Sequence, residues 1–215
     1  MKSSFTAVRG GLAGPQMPKR VIIVHGWASF PKDGWFPWLK ENLEKRGVEV
    51  LVPKLPDPKN PRIQGWVEKI AETAGVPDEK TFFVGHSLGC QAIVRYLETL
   101  PEEVKIGGAV FVGGYFKRLT GLEEEIKEDI GVAETEKHWL GTSIDFEKAK
   151  SHLPKSVAIF STNDYYVPPD NQDDLRNKLG SEIIVVEDMG HFSGVLDGIT
   201  ELPIALESVL KLAKI

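Results

Sequence analysis

Cysteine is almost absent: Cys90 is the only one in 215 residues. A single thiol excludes an internal disulfide, a cysteine-based zinc site and an iron–sulfur cluster. Excess positive charge is also missing. Lys and Arg number 26 against 31 Asp and Glu, a formal charge of −5, so the chain lacks the basic surface that neutralises nucleic-acid phosphates. No apolar run approaches the roughly 20 residues of a bilayer span. The N-terminus carries Lys2 and Arg9 but no continuous apolar segment of the signal-peptide kind. These absences lead to the expectation of a soluble, cytoplasmic protein that engages neither nucleic acid nor membrane. What is present is ordinary for a globular chain: 41% hydrophobic and 27% charged residues, at a length suited to one domain with a real core.

Residues 1–18 differ from the rest, being rich in Gly, Ser and small residues without apolar periodicity. They read as a flexible leader, non-native if Met17 is the natural start, which leaves 19–215 as a single domain. Beyond them, short apolar runs at 21–24, 48–52, 81–84, 109–112, 157–160 and 183–186 read as strands. Helical spacing occupies 35–45, 63–74, 87–100, 170–179 and 199–213. Strands without polar alternation, separated by helices, predict a parallel sheet covered on both faces, a doubly wound α/β domain. Pro53, Pro56, Pro58 and Pro61 mark an irregular loop after the second strand. One stretch breaks the alternation. Residues 114–155 form a long connection with an acidic run at 123–129, His138 and Trp139, then a core helix near 145–152. Its first part, 114–144, reads as a small lid-like insertion.

The strongest local signal is Gly85-His86-Ser87-Leu88-Gly89. This G-x-S-x-G pattern sits between a strand and a helix, the setting in which a serine is exposed on a sharp turn as a nucleophile. A serine hydroxyl needs a general base, itself oriented by an acid. Of the five histidines, His25 and His86 read as loop-shaping residues, and His138 and His152 as surface residues. His191 follows the sixth strand, and the C-terminal strand ends of such a sheet share one edge. His191 is therefore the candidate base. Asp164, after the fifth strand, is the candidate acid, although Asn163-Asp164 before Tyr165-Tyr166 is also good turn chemistry. Glu187 and Asp188 lie too close in sequence to His191 to support it from the far side. Oxyanion donors are expected from the backbone N–H of Leu88, at a helix start, and of Trp27, in the loop after the first strand.

On these residues the chain resembles the α/β-hydrolase superfamily, and within it the small serine hydrolases related to retinoblastoma-binding protein nine and similar bacterial esterases. The matching segments are Val21-Ile22-Ile23-Val24-His25-Gly26-Trp27, Pro53-Lys54-Leu55-Pro56-Asp57-Pro58, the elbow from Gly85 to Gly89, residues 164–168 and Gly190-His191-Phe192. The resemblance implies a three-layer fold with a shortened, all-parallel six-stranded sheet in the order 2-1-3-4-5-6. The family name also suggests an L-x-C-x-E protein-binding motif. Residues 88–92 read Leu-Gly-Cys-Gln-Ala, without the glutamate and at a buried helix start.

The expectation is a serine hydrolase that cleaves carboxylic esters of small or short-chain acids through an acyl-enzyme, with no metal or organic cofactor. Trp35 and Trp139 are the expected pocket walls, with Trp27 beside them, whereas Trp38 and Trp66 fit apolar helix faces. The same constellation also serves an amidase or peptidase, or is retained by a low-turnover protein-interaction module.

Overall fold

The computed structural model describes residues 18–215, so the expected leader at 1–18 lies almost wholly outside the described residues. Six strands form one sheet: β1 (Arg20–Val24), β2 (Glu49–Leu51), β3 (Thr81–His86), β4 (Gly108–Val112), β5 (Ser156–Ser161) and β6 (Glu182–Val186). Their order is β2-β1-β3-β4-β5-β6 and every pairing is parallel, as the resemblance implied.

The strands are apolar on both faces because both faces are covered. Successive side chains point to opposite sides, so Ile22 and Val24 join one core and Val21 and Ile23 the other. Helices α1 (Phe36–Glu44) and α8 (Pro203–Ala213) close one face, burying Phe36, Leu39, Leu43, Leu206 and Val209. The other face receives α2 (Ile63–Ala74), α3 (Leu88–Leu97), α6 (Phe146–His152) and α7 (Asn171–Leu179) through Trp66, Ile70, Ile93, Tyr96, Ala149 and Leu175. Central β3, β4 and β5 are buried throughout, while β6 is partly exposed at an edge. Trp38 is only half-buried, because α1 turns Leu39 and Leu43 rather than Trp38 toward the sheet. No helix among the described residues is long and apolar enough to cross a membrane.

The long connection after β4 contains two further helices, α4 (Glu123–Glu128) and α5 (Ile130–Gly141). The expected surface histidine His152 is instead fully buried. It ends α6 beneath the loop that leads to β4, where its Nδ1–H donates to the Val104 carbonyl at 2.8 Å.

Strand register fixes which loops meet. Val24 pairs with Gly85, His86 with Val112, and Ser161 with Val186. The segments that follow these strands therefore emerge side by side along the C-terminal edge of the sheet, on both sides of the point where strand order reverses.

Candidate active site

Ser87 holds φ 53° and ψ −123° between β3 and α3, a left-handed conformation that non-glycine residues rarely adopt. Its N–H donates to the Val112 carbonyl at 2.9 Å, and its own carbonyl accepts Cys90 N–H at 3.0 Å. The flanking glycines have separate reasons. A Cβ on Gly89 would stand 2.3 Å from the Val24 carbonyl oxygen, and one on Gly85 would stand 2.9 Å from Cys90 N. Both residues are small because α3 starts in contact with β1 and folds back on β3. Gly26 serves the same purpose from the other side, since its Cβ would lie 3.0 Å from Ser87 Cβ.

His191 and Asp164 meet as expected. The ring Nδ1 of His191 lies 2.9 Å from Asp164 Oδ2 and 3.1 Å from Oδ1. Asp164 also forms the turn that the sequence suggested: its Oδ1 accepts the N–H groups of Tyr166 and Val167, both at 2.9 Å. One carboxylate thus builds its own loop and orients the imidazole. Both side chains are nearly excluded from solvent, at 1% exposure for Asp164 and 8% for His191. Ser87 and His191 line one cavity of about 420 Å³. No hydrogen bond joins the Ser87 hydroxyl to His191; contacts between a nucleophile and its base commonly tighten only in the substrate complex.

The two expected oxyanion donors are placed beside each other by the Val24–Gly85 pairing. Leu88 is the first residue of α3, so its N–H has no partner within the helix. In the β1 loop, Ala28 N–H is already bonded to the Pro58 carbonyl at 2.7 Å, whereas Trp27 N–H has no partner among the described residues. His25 ties this loop to the proline-rich segment. Its Nε2 accepts Leu55 N–H, and its Nδ1–H faces the Gly26 carbonyl. Burial lowers its pKa, keeping the ring neutral.

Several residues support the His191–Asp164 pair in ways that the sequence reading did not assign. His86 is buried beneath the base loop and donates its Nε2–H to the His191 carbonyl at 2.8 Å, while Trp35 donates its indole N–H to the next carbonyl, Phe192, at 3.1 Å. Gly113, at φ 55°, leaves room for the ion pair: a Cβ there would lie 3.3 Å from His191 Cε1 and 3.6 Å from Asp164 Oδ2. Asn163 Oδ1 accepts Gly190 N–H and Ser161 Oγ accepts Met189 N–H, joining the acid loop to the base loop. His86 was legible as part of the motif, but its direction was not. Gly113 had no signal beyond following a strand.

Of the expected walls, Trp35 lines the cavity with Trp27, Phe36, Tyr115 and Tyr166. Trp139 does not. It is 1% exposed in the core, with its N–H on the Pro61 carbonyl, its ring edge-on to Trp66 and the Arg95 guanidinium 5.7 Å from its centroid. An aromatic in this insertion was expected to face a ligand, but it anchors α5 to α2 and α3 instead. The insertion's contribution to the cavity is Tyr115, Leu119, Leu122 and Val132. Cys90 is buried against Val112, its thiol pKa pushed up by burial. Leu88, Cys90 and Ala92 are all inaccessible, which removes residues 88–92 as a surface motif.

The family model described as serine hydrolase matches residues 21–210. The chain is 32% identical over 191 residues to the protein YdeN of Bacillus subtilis strain 168, covering 89% of this chain and 94% of that one. It is 29% identical over 178 residues to the serine hydrolase RBBP9 of Rattus norvegicus, covering 81% and 88%. The crystal structure of the Bacillus subtilis ydeN gene product superposes with a TM-score of 0.81 at 29% identity, over 92% of this chain and all of that one.

Proposed function

The chain belongs to the serine hydrolase family, and from that premise we propose that it cleaves carboxylic esters of short-chain acids with Ser87, His191 and Asp164 as its catalytic residues. The observation that carries this reading is the bonded Asp164–His191 pair opening on the same cavity as the strained Ser87.

In this mechanism His191 Nε2 takes the Ser87 proton as Oγ attacks the ester carbonyl. Asp164 holds the Nδ1–H tautomer and stabilises the imidazolium without taking the proton. The N–H groups of Leu88 and Trp27 receive the oxyanion, aided by the positive end of α3. His191 then protonates the departing alcohol. Water deprotonated by the same imidazole attacks the acyl-enzyme, releases the acid and restores Ser87.

The ester preference over amides rests on the pocket. It is lined mainly by aromatic and aliphatic residues, among them Trp27, Trp35, Phe36, Leu119, Leu122 and Val132, which supports an apolar ester over a peptide backbone rich in hydrogen-bonding groups. The volume has to hold both the acyl and the alcohol parts, which supports short acyl chains.

Hydrolysis of p-nitrophenyl acetate, butyrate and octanoate, with Ser87→Ala in parallel, tests this. Turnover of the shorter esters, reduced at least about 10³-fold in Ser87→Ala, is the expected result. Preferred turnover of matched anilides, or of octanoate by kcat/KM, contradicts it.

A further inference from the structure

Besides the histidines, one ionisable carboxylate, Asp33, lines the cavity, and no Lys or Arg lines it among the described residues. Asp33 lies in the tight turn between the Trp27 loop and α1. Its Oδ2 accepts Phe30 N–H at 2.7 Å and the Ser29 hydroxyl at 3.2 Å. Both bonds fall on one oxygen, and Oδ1 has no partner among the described residues. The turn is rigid: Asp33 N–H reaches the Phe30 carbonyl, Phe36 N–H reaches the Asp33 carbonyl, and neighbouring Gly34 packs on Gly194 so closely that a Cβ on Gly194 would stand 2.3 Å from its Cα. The carboxylate is thus held at the wall of a largely apolar cavity with no ion-pair partner among the described residues. A carboxylate in such surroundings gains most from an opposite charge brought in by a ligand.

We propose that Asp33 selects the substrate by charge, so that the preferred esters carry a cationic ammonium group in the part that reaches this wall. The inference rests on the ester-hydrolase reading above and specifies its substrate. The carboxylate offsets the ammonium charge, and the rings of Trp27, Tyr115 and Tyr166 in the same cavity suit its alkyl substituents through cation–π contact. The same charge disfavours esters whose acyl or alcohol part is anionic. The serine chemistry is unchanged, since Asp33 touches the substrate remote from the carbonyl and moves no proton.

Two matched pairs of esters test the inference. One pair is the choline ester of butyric acid and its neutral all-carbon isostere, which place the charge on the alcohol. The other is the p-nitrophenyl ester of trimethylammoniobutyric acid and its all-carbon isostere, which place it on the acyl group. In at least one pair the cationic ester is expected to exceed its isostere in kcat/KM by about tenfold or more. Asp33→Asn, which keeps an oxygen for Phe30 N–H, is expected to collapse that ratio toward one. In the wild type the ratio is expected to shrink as salt rises, a readout that needs no variant. Equal or lower kcat/KM for the cationic ester in both pairs overturns the inference and leaves the ester reading standing. A preference that survives both Asp33→Asn and high salt overturns it as well. No hydrolysis of any of the four esters by folded protein overturns the ester reading and this inference together.

Discussion

The Nε2–H of His86, inside the G-x-S-x-G turn, donates to the main-chain carbonyl of His191 at 2.8 Å. The turn that presents the serine therefore also fixes the height of the loop that presents the imidazole. Trp35 secures the adjacent Phe192 carbonyl, and the Trp35 and Phe36 rings pack edge-on against His86. The held loop includes Phe192 at φ 58°, a conformation that a non-glycine residue keeps only where its surroundings hold it.

His86→Leu is expected to lower kcat about 10- to 100-fold with KM changed less than threefold, because misplacing the base affects the chemical step more than binding. His86→Gln, which offers an N–H from a similar position, is expected to recover much of the loss. Equal kcat for the leucine variant and the wild type would show that the bond does not position His191.

Burial, aided by the nearby His191 ring, lowers the His86 pKa from 6.5 to about 3. In the unfolded chain this histidine takes a proton near pH 6.5, so between those values the unfolded state binds more protons than the folded one. Stability is then full above about pH 6.5 and falls as the pH drops toward 3, by up to about 1.4 kcal/mol per pH unit for this residue. His25 is shifted the same way by burial. Urea midpoints measured from pH 7.5 to pH 5 should fall steadily, and less steeply in His86→Gln. A flat profile would count against a buried neutral His86.

Glycine replacements should separate packing from catalysis. Gly89→Ala places a Cβ 2.3 Å from one backbone oxygen and 2.6 Å from another, neither of which can move without shifting β1. A loss of about 3 kcal/mol or more is expected, read as a Tm lower by about 10 °C. At Gly141, a helical position, nothing lies within 4 Å, and alanine there should be neutral or stabilise by up to about 1 kcal/mol. Gly113→Ala should lower kcat/KM about tenfold or more by crowding the His191–Asp164 pair.

Trp139 and Leu122 lie in the same insertion and should behave oppositely. Trp139→Ala removes a core side chain, so a loss of about 3–5 kcal/mol is expected with the acyl-chain preference unaltered. Leu122→Trp, on the cavity wall, should shift preference toward acetate with little change in Tm. A changed chain-length profile in Trp139→Ala would return that residue to the pocket.

Much of this protein is legible in its sequence. The six apolar runs became the six strands, and the helix at 63–74 formed with those bounds. Strand period and burial on both faces are local properties, written residue by residue. The order of Ser87, Asp164 and His191 was readable because each follows a strand, and strand ends in a parallel sheet converge. Trp139 was read as a pocket wall and His152 as a surface residue, because composition does not say whether an indole or imidazole in a long connection meets a ligand, solvent or the core. Only the packing partner distinguishes them. Local chemistry therefore determined the elements, the sheet type and the candidates for the reactive groups. The tertiary structure alone decided that His86 supports His191, that Gly113 makes space for the ion pair, and that Asp33 stands in the cavity without a counter-charge. Each of these relationships joins residues far apart in the chain or depends on which atoms surround a side chain, and hydrogen bonds, clashes and unpaired charges are defined by distances that no sequence period encodes.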